Sequence, residues 1–201
     1  GFNEDTQPER ASDFYQRGLR HGLVALEING AKDLMNTPIA DFETQVSRLK
    51  KDDVAAMFWA ASNWAKWMDL HRDDPEAIAQ LARATALMQR VIELDDSFYY
   101  GGAHMYFGVY YGSRSPLLGG NFDKSLQHFE RAREITNGKL LIPDLLQAQY
   151  LAVQKQDRED FHQRLTGIVN APDDLMPELG LQNQIAKRKA ALLLKKESEW
   201  F

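Results

Sequence analysis

The chain has 201 residues, enough to bury roughly 70% of its unfolded surface and so to form a true core. Its content, 44% hydrophobic and 26% charged, is that of a globular protein rather than a disordered one. A net charge of −5 speaks against a nucleic-acid binder, which needs a basic face, and the absence of cysteine excludes disulfides and thiolate chemistry in this chain.

Apolar residues recur three and four apart almost from end to end, which predicts an all-α protein. A first helix is expected from Pro8 to Asn29, with Phe14, Leu19, Leu23 and Leu26 inward and Gly30 as its stop. Further helices are expected at Ile39–Lys50, at Asp53–His71 with Phe58, Trp59, Trp64 and Trp67, and at Pro75–Leu94. The run GGAHMYFGVYYGSRSPLLGG, residues 101–120, supplies a fifth, with Ser113 and Ser115 in a turn. Phe122–Thr136 and the segments 140–155, 157–170 and 178–198 complete the series. No linker rich in Pro, Gly or Ser divides them, so one helical-repeat domain over 1–201 is expected, with 1–7 as a disordered arm. No stretch reaches the roughly 18–20 apolar residues of a membrane helix. The start GFNEDTQPER has no basic region followed by an apolar core, so any export signal is expected to have been removed or never to have been there.

Aspartate doublets at 52/53, 73/74, 95/96 and 173/174 fall at junctions between helices. The first two precede helices, where a carboxylate caps backbone N–H groups, and DDPE at 73–76 adds proline at the first helical position. Other chemistry is poorly served. Neither G-x-x-x-x-G-K-[ST] nor G-x-G-x-x-G occurs, so Gly119-Gly120 reads as a sharp turn into a helix capped by Asn121 or Asp123. The histidines at 21, 71, 104, 128 and 162 have no metal-ligand spacing, G-x-S-x-G is absent, and no doublet extends to D-D-x-x-D. The basic residues Lys187, Arg188, Lys189, Lys195 and Lys196 spread around a helix as a solvated face. No catalytic residue, metal site or cofactor is expected.

Helix pairs joined by short turns match the tetratricopeptide pattern in part. Phe107, Gly108 and Tyr111 fit its first helix, and Ser125, Phe129 and Ala132 its second, with SPLLG lengthening the junction. A weaker echo lies at Ala84, Met88 and Val91. The pattern predicts an array of helical hairpins with degenerate tetratricopeptide-like repeats.

What stands out is an aromatic surplus. Core packing explains many such residues, yet each buried tyrosine hydroxyl, His104 and Arg114 needs a polar partner, a water-filled cavity or a ligand. The candidate ligand-binding residues are therefore Trp59, Trp64, Tyr99, Tyr100, His104, Tyr106, Tyr110, Tyr111 and Arg114.

The segment YYGGAHMYFGVYYGSRSPLLGGNFDKSLQHFERA, residues 99–132, resembles the signature of the TatT family, the T component of tripartite ATP-independent periplasmic (TRAP) transporters. FWAASNWAKWM at 58–68, LMQRVIELDDSFYYGG at 87–102 and MPELGLQNQIAKRKAALLL at 176–194 agree with it. The motif positions are Gly101, Gly102, His104, Gly108, Tyr111, Arg114, Pro116, Gly119 and Gly120. The resemblance implies a non-enzymatic, all-helical periplasmic protein that forms homo-oligomers, with a trimer described. It further implies pairing with the solute-binding P component and a pore or channel for a hydrophobic ligand. Members are usually anchored through a lipidated N-terminal cysteine, which this chain lacks. Two other readings are weighed: a tetratricopeptide-type peptide adaptor, which would need basic rather than aromatic inner helices, and an α-bundle enzyme acting on an apolar substrate.

Overall fold

The computed structural model describes residue 4 and residues 7–201; apart from residues 4 and 7, the arm expected at 1–7 lies outside them. The fold is all-α, and no strand occurs among the described residues. Two compact units divide the chain, Gly1–Phe98 and Tyr99–Phe201.

In the first unit α1 (Pro8–Ile28) packs on α3 (Val54–Leu70), and α3 on α5 (Leu81–Asp95), with α2 (Ile39–Ser47) against α5. Small residues set the approach of α1 to α3: a β-carbon on Gly22 would lie 2.7 Å from that of Ala60. Leu19, Leu23 and Leu26 are buried as their spacing predicts, but Phe14 is turned outward, 45% exposed, with Arg10 and Arg17 over its ring. Phe42, Met57, Trp64, Leu87, Met88 and Val91 complete the core.

The helix expected at Pro75–Leu94 is interrupted. A single turn, α4 (Pro75–Ile78), begins at Asp74, whose side chain accepts the Glu76 N–H at 2.9 Å as an N-cap should. It ends before Gln80, whose side-chain oxygen accepts the Trp64 indole N–H at 2.7 Å. Asp53 departs from its expected role. It does not cap α3 but closes the 3-10 turn Lys51–Asp53, accepting the Lys50 N–H at 2.8 Å and the Asn29 side-chain amide at 2.6 Å.

The first residue of α6 (Phe98–Gly112) ends the first unit, where Phe98 packs on Phe58. Tyr99, Tyr100 and Gly101 then take left-handed angles, with φ of 46°, 59° and 75°, so the right-handed helix starts at Gly102. Non-glycine residues in this region cost roughly 1–2 kcal/mol each. Gly101 has a second constraint, since a β-carbon there would lie 3.0 Å from Ile135 Cδ1.

After Gly112 the SPLLGG segment makes a 3-10 turn at Pro116–Leu118 and stops at Gly119, φ +84°. Gly120 passes so close to the Arg114 carbonyl that a β-carbon would sit 1.9 Å from its oxygen, and Asn121 N–H donates to Tyr111 O at 3.0 Å. Asn121 then caps α7 (Phe122–Ile135) by accepting Lys124 N–H at 2.9 Å. The glycine pair therefore forms the sharp turn into a capped helix that its sequence predicts.

Two further expected helices are broken up. The segment 140–155 becomes α8 (Ile142–Leu146), a π-helical stretch at Gln147–Ala152 and α9 (Val153–Lys155). Buried Gln147 accepts from Arg133 at 2.9 Å and donates to Asp160 at 3.3 Å there. Asp157 caps α10 (Arg158–Asn170). A 3-10 turn at Pro177–Leu179 precedes α11 (Gly180–Lys195) and α12 (Glu197–Trp200). Phe161, Leu165, Ile168, Ala186 and Ala190 form the core that joins α10 to α11.

Candidate aromatic and imidazole wall on the sixth and seventh helices

The pairing of α6 with α7 is set by small residues. A β-carbon on Gly108 would lie 2.6–2.7 Å from three ring carbons of Phe129, which is itself fully buried. The Ser125 hydroxyl donates to Gly108 O at 2.6 Å and would collide with any side chain at Gly112. This register brings the residue before Phe129, His128, onto the aromatic face of α6.

On that face residues three and four apart are neighbours. Phe107, Tyr111 and His128 lie nearly parallel: Phe107 to His128 at 5.2 Å and 24°, Tyr111 to His128 at 5.9 Å and 17°, and Phe107 to Tyr111 at 6.0 Å and 26°. Tyr106 stacks on Tyr110 at 6.1 Å, and Tyr110 meets Tyr111 edge-on at 5.0 Å. Phe107 is buried, whereas Tyr106, Tyr110 and Tyr111 are half-buried. Arg114 donates twice to Tyr110 O, at 3.1 and 2.8 Å, and its guanidinium carbon stands 4.0 Å from the Tyr110 ring centre. Lys124 lies over Tyr111 at 5.3 Å.

His104 is buried and its Nδ1 meets the Nδ1 of His128 at 2.9 Å, so one imidazole donates and the other accepts. Burial, with the nearby charges of His104 and Lys124 adding to it, pushes the pKa of His128 from 6.5 down to about 4. The ring is therefore neutral near pH 7, and the charge beside the stack comes from Arg114 and Lys124. Such a surface suits flat or apolar molecules, and its ring faces at Tyr110 and Tyr111 already carry cations of the chain itself. No group of three or more His, Asp or Glu among the described residues could hold a metal ion.

The structure thus brings together His104, Tyr106, Tyr110, Tyr111 and Arg114. Tyr100 packs instead on the cluster of Met105, Ala132, Leu140, Met176 and Leu179, and Tyr99, 41% exposed, touches it edge-on at 5.9 Å. Trp59 and Trp64 belong to the first unit. Trp59 is 43% exposed and packs on Phe58, while Trp64 is fully buried. Sequence reasoning passed over His128 and Lys124 as parts of this wall, because their place depends on the Gly108–Phe129 register.

A family model described as TRAP transporter T-component matches residues 2–201. The chain belongs to this family. The resemblance carried by residues 99–132 thus extends over essentially the whole chain, which falls in a family of transporter accessory components, not of enzymes. Among curated proteins none matches the sequence. No helix among the described residues is long and apolar enough to cross a membrane.

Proposed function

We propose that this T component is a non-enzymatic periplasmic subunit that docks with the solute-binding P component of a TRAP transporter and offers an apolar pocket or channel to a hydrophobic ligand. The working form is a homotrimer on a degenerate tetratricopeptide-like helical array, tethered to the membrane as a lipoprotein in its full-length form through a cysteine that is not in this chain. The observation that carries the ligand reading is the stack of Phe107, Tyr111 and His128, whose tyrosine, like Tyr106 and Tyr110 beside it, is half-buried rather than sealed in the core. Aromatic residues that only pack a core have no need of hydroxyls, a hydrogen-bonded histidine pair and an arginine at the edge. Tyr99 lies edge-on to Tyr100, which packs on the Met105 and Ala132 cluster of the same unit, while Trp59 and Trp64 belong to the first unit and take no part in this wall.

The test is titration with N-phenyl-1-naphthylamine, an apolar probe that fluoresces out of water. Saturable enhancement is expected, with affinity about tenfold weaker in Tyr110→Ala and Tyr111→Ala, since one aromatic contact is worth about 0.5–1.5 kcal/mol beyond its area. Circular dichroism shows whether the variants keep their helices. Absence of enhancement, or equal enhancement in folded variants, contradicts the ligand reading.

A further inference from the structure

A second site of different chemistry lies within the first unit. A cavity of about 610 Å³ is lined by Asn29, Gly30, Ala31 and Lys32 after α1, and by Gln45, Arg48, Leu49, Lys50, Asp52 and Asp53 around the end of α2. Its size falls in the range of small-molecule sites, roughly 300–1,000 Å³.

The lining is held in place by its own hydrogen bonds. Lys32 N–H donates to the Gln45 side chain at 2.6 Å, and the Gln45 amide returns to Lys32 O at 3.1 Å. Arg90 of α5 donates to Leu49 O at 3.2 and 2.8 Å. In the floor, Asp53 is 7% exposed and its two oxygens accept from Asn29 and from Lys50 N–H. These bonds employ the backbone and the amides but leave the cations out. Among the described residues no carboxylate forms an ion pair with Lys32, Arg48 or Lys50, although the chain as a whole has 29 acidic and 24 basic residues. Three unneutralised cations around one concavity raise the local concentration of anions. Asp52 on the same rim and Asp53 in the floor oppose them, so three cations face two carboxylates and the affinity is limited.

We propose that this cavity binds a small anion carrying two or more carboxylate or phosphate groups. Lys32 approaches from the α1–α2 connection and Arg48 and Lys50 from the far end of α2, so an anion with charges at both ends engages both segments, whereas a monovalent ion engages one. Arg48 is the anchor, because its planar fork matches carboxylate and phosphate oxygens in pairs.

The experiment is a two-dimensional amide NMR titration of the whole chain at low salt with citrate and, separately, pyrophosphate, against sodium chloride at equal ionic strength. Saturable shifts confined to residues 29–53 are expected with at least one probe. Exposed charge pairs are worth about 0.2–1 kcal/mol, so Arg48→Glu, which loses one attraction and adds a repulsion, weakens binding roughly fivefold or more. Lys32→Glu acts in the same direction, and Asp52→Asn tightens binding about twofold by removing a like charge. All three positions are exposed, so the variants fold. Shifts that fail to saturate, that sodium chloride reproduces, or that Arg48→Glu and Lys32→Glu leave unchanged overturn the proposal. Which probe binds separates a carboxylate ligand from a phosphate one.

Discussion

Gly108→Val lowers the stability of the protein by about 2–3 kcal/mol, the upper part of the range for overpacking a filled core. The space for a β-carbon is already taken by the Phe129 ring at 2.6–2.7 Å, and Phe129 has no exposed edge through which to retreat. Nor is the backbone free to shift, because the Ser125 hydroxyl is bonded to Gly108 O at 2.6 Å. Valine adds a branched side chain that helices accept less readily than alanine. For a chain of this length the loss lowers the thermal midpoint by roughly 5–10 °C. A circular-dichroism melt measures it, and Phe129→Leu in the same chain should recover part of the loss by making room. An unchanged midpoint would show that α6 and α7 do not meet at Gly108.

The second large effect concerns Trp64. Trp64→Ala costs about 3–5 kcal/mol, as expected for emptying a fully buried aromatic site. The ring packs edge-on to Phe42 at 6.3 Å, and its N–H satisfies Gln80, so the variant leaves both a cavity and an amide oxygen short of a donor. Trp64→Phe keeps most of the packing and loses only the hydrogen bond and the smaller ring, so it should fall between the two. Urea unfolding followed by circular dichroism ranks the three proteins. Equal midpoints for wild type and Trp64→Ala would contradict the burial.

Much of this arrangement follows from local pattern. The helices around Leu19, Leu23 and Leu26, the cap at Asp74 and the turn at Gly119-Gly120 each depend on residues within a few positions of one another, so periodicity and turn chemistry reveal them. The interruptions have distant causes. Gln80 leaves the helix to meet Trp64, sixteen residues earlier, and Gln147 sits in a π-helical stretch while reaching Arg133 and Asp160. The left-handed run at Tyr99–Gly101 has no signal in its two tyrosines, which are poor residues for that conformation. The wall divides in the same way. Tyr106, Tyr110, Tyr111 and Arg114 share a face by helical spacing alone, but His128 joins it only once Gly108 fixes how α7 lies on α6. Phe14 shows the limit of spacing, since its helical position fits the core and its ring is held outside by two arginines.

The role of a transporter T component is tested most directly by sedimentation velocity of the purified protein mixed with a TRAP transporter P component from the same organism. A docking subunit gives a new, faster boundary that contains both proteins at micromolar concentration, and the T component alone sediments as an oligomer rather than a 23.0 kDa monomer. Two boundaries that sediment independently, with the T component monomeric, would contradict it.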